Sequence, residues 1–224
     1  MIKFKEILEL WRKDNSLTQA YNDSKTMLEN AYEMYIESVR ILRRSDTSDG
    51  REELRERDVL INKYEREVRS KVLKYLAVTG GANIIPGLIL TSIVIDLERI
   101  GDYTKNIADL SKIHPDRLLG GIFEEEIVKI EETVENLFKN LIPLLLSSEK
   151  ERARECINSS FWILKASDKI VERCVLSEDT TLAAGTTTAI ALYVRYLKRV
   201  GAHLINVATS IVNPFEKIGF MLDE

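Results

Sequence analysis

Two carboxylates four residues apart, Glu98 and Asp102, are the first place in this chain where residue type and spacing suggest chemistry. On a helix such residues lie one turn apart on the same face, and two negative charges there repel unless something positive sits beside them. A hard divalent cation, or iron held by oxygen donors, would relieve that repulsion. Asn106, one turn further on, extends the line and can supply a carbonyl or orient a bound water. Arg99, Lys105 or a basic side chain from another helix can equally neutralise the pair, so a metal site and a solvated acidic face both stand on these residues.

Other groups with chemical potential lack a constellation around them. The two histidines are His114 and His203, preceded at three residues by Ser111 and Val200, so neither makes the Glu-x-x-His pair of a carboxylate-bridged di-iron site. His203 can ligate a metal or be packed and hydrogen-bonded. Gly80-Gly81 and Gly120-Gly121 lack the Lys-Ser/Thr that a nucleotide-phosphate loop needs. No Ser or Cys sits in a nucleophile motif, so no catalytic residue and no cofactor-binding motif is assigned, and an enzyme is not expected. Cys156 and Cys174 fall in a segment that reads as one helix, roughly 27 Å apart along its axis, which rules out a disulfide between them. Two reduced core thiols are expected.

The elements that must position these groups are helices. Of 224 residues, 45% are hydrophobic, 30% are charged and 4 are proline, a composition for long helices with solvated outer faces. Turn-rich breaks fall at 45–50, 79–81, 114–121, 147–148 and 177–180. Between them run buried-type stripes: Met27, Ala31, Met34, Ser38 and Ile41 with Leu28, Tyr35 and Leu42 beside them; Leu54, Ile61, Val68 and Tyr75; then Ile93, Leu97, Ile100, Thr104 and Ile107. Glu53 with Arg57, and Glu65 with Arg69, are acid-before-base pairs placed on the outer face of the second stripe. Three more helices are expected over about 123–147, 149–176 and 181–212.

An internal repeat organises these six helices. Leu97, Arg99, Gly101, Asn106 and Ala108 recur as Leu197, Arg199, Gly201, Asn206 and Ala208, 100 residues on and without a gap. The fold expected is therefore all-α, two tandem three-helix bundles over 14–118 and 119–224. Glycine inside a helix costs about 1 kcal/mol relative to alanine, so Gly101 and Gly201 predict a neighbouring helix in close approach. In the second copy Lys198 and Ala202 replace the carboxylates, and no site like the first can form from those positions. Lys198 there can stand in for a cation through a salt bridge.

The formal net charge of −4 argues against nucleic acid as a partner. Acidic Glu6 and Glu9 interrupt the start, so no signal peptide is read, and no window approaches 18 apolar residues; a cytoplasmic location follows as the expectation. Phe4, Ile7, Leu8 and Trp11 with Lys3, Lys5, Arg12 and Lys13 give residues 1–13 the pattern of a basic amphipathic helix. It can lie at the inner face of a membrane, fold back on the bundle or pair with a second subunit.

The segment from Asp96 to Leu110, DLERIGDYTKNIADL, resembles the signature of the PhoU family, which places a Glu/Asp-x-x-x-Asp motif on the third helix of each of two bundles. Glu98 to Asp102 match the first copy; the second, from Tyr196 to His203, is recognisable but has lost both carboxylates. The resemblance implies a cytoplasmic, non-catalytic repressor of phosphate uptake and signalling. It would act with an inner-membrane phosphate transporter and a sensor histidine kinase, commonly as a homodimer. It also implies a metal ion, iron among the candidates, held at Glu98 and Asp102, with the third helix of each half as contact surface. A metal-independent helical scaffold serving another phosphate or ion transporter is the alternative, and the altered second copy favours it.

Overall fold

The structure is a computed structural model and describes residues 15–44, 51–79, 84–114, 116–147 and 149–220, with Glu6 and Glu9. The amphipathic segment expected over residues 1–13 otherwise lies outside the described residues. Helix α1 (Asn15–Val39) runs into a π-helical turn (Arg40–Arg44), followed by α2 (Arg51–Thr79) and α3 (Ile84–Ile113). The second half contains α4 (Glu124–Ser147), α5 (Lys150–Ser160), α6 (Trp162–Val175) and α7 (Ala184–Val212). No strand occurs among the described residues.

Each stripe read from the sequence is buried, from Met27 through Ile41, from Leu54 through Tyr75 and from Ile93 through Ile107. Helices α1, α2 and α3 pack on one another as one bundle. In the second bundle α7 is covered by α4, α5 and α6, and α3 lies against α7 to join the two. The fold is all-α, two three-helix bundles in tandem, as the repeat implies. The expected fifth helix is interrupted at Phe161, so Cys156 and Cys174 lie on separate helices α5 and α6. Both thiols are buried and unpaired; burial pushes the Cys156 thiol up to about 11 and raises that of Cys174, so both stay protonated and inert.

Both repeat glycines sit beneath an isoleucine of their own bundle. A Cβ on Gly101 would lie 3.2 Å from Ile61 Cδ1 of α2, and one on Gly201 would lie 2.4 Å from Ile163 Cδ1 of α6. The close approach of these helices offsets the entropic cost of a mid-helix glycine. Gly121 has a different reason: its φ is +54°, and a Cβ there would lie 2.4 Å from Asp179 Oδ2. That carboxylate accepts from Ile122 N at 3.0 Å and from Thr181 Oγ1 and N at 2.6 and 3.0 Å. The Thr181 hydroxyl, then the Ile122 amide, hold Asp179 below its ordinary pKa. The loop before α7 is thus fastened to the turn before α4.

One outer-face pair forms as read and one does not. Arg69 and Glu65 meet at 2.7 Å, but Arg57 reaches across to Asn30 Oδ1 of α1 at 2.9 Å. Asn30 is a half-buried neutral acceptor on a neighbouring helix, and it draws Arg57 away from Glu53.

The π-helical turn directs three consecutive residues, Ile41, Leu42 and Arg43, into the interior. Arg43 Nε donates to Glu131 Oε1 of α4 at 2.8 Å, and both side chains are buried. Its other nitrogens donate to the Leu118 carbonyl and to Glu124 Oε1 at 2.6 Å. Tyr193 of α7 donates to Glu131 Oε1 at 2.7 Å, and Tyr35 of α1 donates to the Glu131 carbonyl at 2.9 Å. Burial first, and then Glu131, raise both tyrosines well above the ordinary phenol range, so each hydroxyl stays a donor. Replacing Arg43 with Met strands the Glu131 charge and is expected to lower stability by about 3–5 kcal/mol in urea unfolding. Arg43→Met with Glu131→Leu should lose less than Arg43→Met alone.

Candidate functional site

Glu98 and Asp102 occupy a half-buried strip of α3, with side chains 17% and 32% exposed. The helical register puts them one turn apart, and Arg99 lies between: its Nε is 3.4 Å from Glu98 Oε2 and its Nη1 is 3.3 Å from Asp102 Oδ2. Burial is the largest influence on Glu98, followed by the Asp102 charge and opposed by Arg99, with Glu65 of α2 adding further repulsion. The net effect raises its carboxyl above the ordinary range. Further along the strip, Lys105 Nζ meets Asp58 Oδ2 of α2 at 3.3 Å.

This arrangement offers a cation two oxygen-donor groups beside a guanidinium. Among the described residues no group of three or more His, Cys, Asp or Glu side chains is placed to share an ion. The pair can therefore form part of a coordination shell for a hard cation, whose remaining ligands must be water or groups from outside those residues.

In the second bundle Lys198 Nζ meets Asp168 of α6 at 2.6 and 2.7 Å. The lysine anticipated as a stand-in cation thus has its carboxylate, on the neighbouring helix and not on its own. His203 is held at the boundary between the bundles: its Nδ1 lies 2.7 Å from Asp96 Oδ1 of α3. With Asp96 as a carboxylate, Nδ1 is the donor. Asn206 Nδ2 donates to the same oxygen at 3.2 Å, and Tyr103 stacks on the imidazole with centroids 5.8 Å apart. Arg199 lies over Tyr103 at 5.4 Å and donates from Nε to its hydroxyl at 3.2 Å. The hydrogen-bonded reading of His203 is the one the structure shows. His114, the other histidine, lies 3.3 Å from Thr186 Oγ1 near the start of α7.

Sequence reasoning missed Asp96 as the inter-bundle acceptor, although it opens the quoted motif. The signal was present: His203 and Asn206 lie three apart on one face of α7, two donor groups needing an acceptor.

A duplicated three-helix architecture, with an acidic pair on the third helix of one copy and a lysine in the other, defines a class of helical-bundle proteins. Residues 25–111 match the family model for the PhoU domain. The chain is similar in fold to the crystal structure of PhoU from Pseudomonas aeruginosa, with a TM-score of 0.69 and 19% identity, over 93% of this chain and 97% of that one. It is likewise similar to the phosphate transport system regulatory protein PhoU from Streptococcus pneumoniae, with a TM-score of 0.73 and 14% identity, over 87% and 92% of the two chains. No curated protein sequence matches it. The family match is thus confined to residues 25–111, and the chain as a whole shares the fold of both crystal structures.

Two measurements test this reading of the site. Because the fold raises Glu98 above its ordinary pKa, the folded state binds a proton more tightly than the unfolded chain, and its contribution to stability falls as pH rises through that window. Glu98→Gln is expected to be at least as stable as wild type at about pH 7, with the difference vanishing at about pH 3, in urea melts at both values. Across the bundle boundary, Asp96→Ala and His203→Phe in a double-mutant cycle should show a coupling of about 1 kcal/mol or more.

Proposed function

We propose that the chain is a non-enzymatic regulator of inorganic phosphate uptake that works by binding partners. The partner class is a membrane phosphate transporter, with a sensor histidine kinase as a further contact. The PhoU domain over residues 25–111 carries this reading, and the PhoU fold across the chain supports it. A docking protein needs a stable, extended helical surface and no reaction chemistry, and no constellation for catalysis was read from the sequence. The docking surface includes the half-buried strip of α3. No helix among the described residues is long and apolar enough to cross a membrane, so a membrane partner must be reached from the surface. The two repeats, 14–118 and 119–224, act as the structural halves, and a homodimer is the working assembly.

Glu98 and Asp102 contribute to the site of an iron or another divalent or trivalent ion, with water or partner groups completing its shell. A metal-independent scaffold is the second reading, favoured by one observation: Arg99 already lies between the two carboxylates.

Elemental analysis of untagged protein, wild type beside Glu98→Ala/Asp102→Ala, separates the two. The metal reading expects stoichiometric metal in the wild type only, with capture of the phosphate transporter in detergent extracts weakened at least tenfold in the variant. The scaffold reading expects equal capture by both proteins and no bound metal in either. Failure of both proteins to engage the transporter would remove the transporter as partner.

A further inference from the structure

The strip that reads Glu98, Asp102, Lys105 and Asp109 on α3 becomes Lys198, Ala202, Ile205 and Thr209 on α7. Its surroundings change with it. Ala202 and Ile205 line a cavity of about 180 Å³ whose opposite wall is Ile157, Phe161 and Leu164, where α5 gives way to α6. The segment after α7 closes another side. Gly219 N donates to Thr209 Oγ1 at 2.8 Å, and Asn213 Nδ2 donates to the Lys217 and Phe220 carbonyls at 2.9 and 3.1 Å. This brings Gly219 and Phe220 into the wall.

Few polar atoms in that lining are open to a ligand. The Thr209 hydroxyl accepts from Gly219 and donates to the Asn206 carbonyl at 2.6 Å. Asn206 Nδ2 is held by Asp96, whereas its Oδ1 accepts no hydrogen bond from the described residues. Among the described residues no charged side chain lines the cavity, and Lys198 nearby is held by Asp168. A carboxylate at position 202 would lie against Phe161 and Leu164 and lose hydration without a partner. Alanine there makes the cavity suitable for an apolar group.

We propose that this cavity is a binding site for a small neutral molecule with an apolar body and one hydrogen-bond donor, the donor directed at Asn206 Oδ1. Its size is that of apolar cavities, roughly 150 Å³, that take up a benzene-sized guest, and a walled apolar site with one open acceptor is the usual composition of a ligand pocket. Binding here would press on Asn206 and so on Asp96, which lies within one turn of Glu98 on α3.

Phenol and toluene are suitable probes, since they share a ring and differ by the donor. In NMR titrations of the full chain, both should give saturable shifts at Leu164, Ala202 and Ile205, with phenol roughly tenfold tighter. Ala202→Leu and, from the opposite wall, Leu164→Trp should each abolish saturation while the remaining spectrum stays folded. Shifts that never saturate in the wild type, or that survive both substitutions, would overturn the site. Equal affinities for phenol and toluene would overturn the role given to Asn206.

Discussion

A guanidinium and a carboxylate taken out of water together set the terms for the rest of this molecule. Separately, Arg43 or Glu131 would carry a desolvation penalty of several kcal/mol, and together they are tolerated only if every remaining donor and acceptor finds a partner. Those partners come from α1, the turn before α4, α4 itself and α7. The two bundles therefore meet in one arrangement, because sliding one past the other would strip hydrogen bonds from a buried charge. The π-helical turn belongs to the same constraint, since it carries Arg43 to the inner side of a chain whose next residue is exposed.

At the other contact between bundles, α3 against α7, the same logic operates at lower electrostatic cost. Asp96 collects two donors from α7, while Tyr103 is enclosed by His203 and Arg199. The duplicated glycines serve a separate purpose within each bundle, seating α2 on α3 and α6 on α7. Identical backbone requirements thus keep Gly101 and Gly201 alike, while the strips beside that contact have diverged in charge and polarity.

Much of this was legible in the sequence. The seven-residue stripes, the repeat at 100 residues and the glycine pair report buried periodicity and backbone approach, which are local or internally repeated properties. Arg43 was not legible. It is the third of three consecutive buried positions, Ile41, Leu42 and Arg43, and a buried arginine is not what a charged residue beside an apolar run suggests. The break at Phe161 also escaped, because no glycine or proline marks it. Partners across helices were the weakest part of the reading: Arg57 finds Asn30 and Lys198 finds Asp168, choices that depend on how helices are set against each other. The acidic pair itself was plain from spacing, whereas the guanidinium lying between its members required coordinates.

Lys198 and Asp168 form an ion pair in which the cation is attached to the chain by four methylenes. Such a charge cannot diffuse away, and its local concentration does not depend on the surrounding solution. The corresponding strip of the first bundle carries Glu98 at that position, and the tethered positive charge beside it is the guanidinium of Arg99. The same frame thus presents opposite charges at equivalent positions, each answered by a partner fixed to the chain, Asp168 for Lys198 and Arg99 for Glu98.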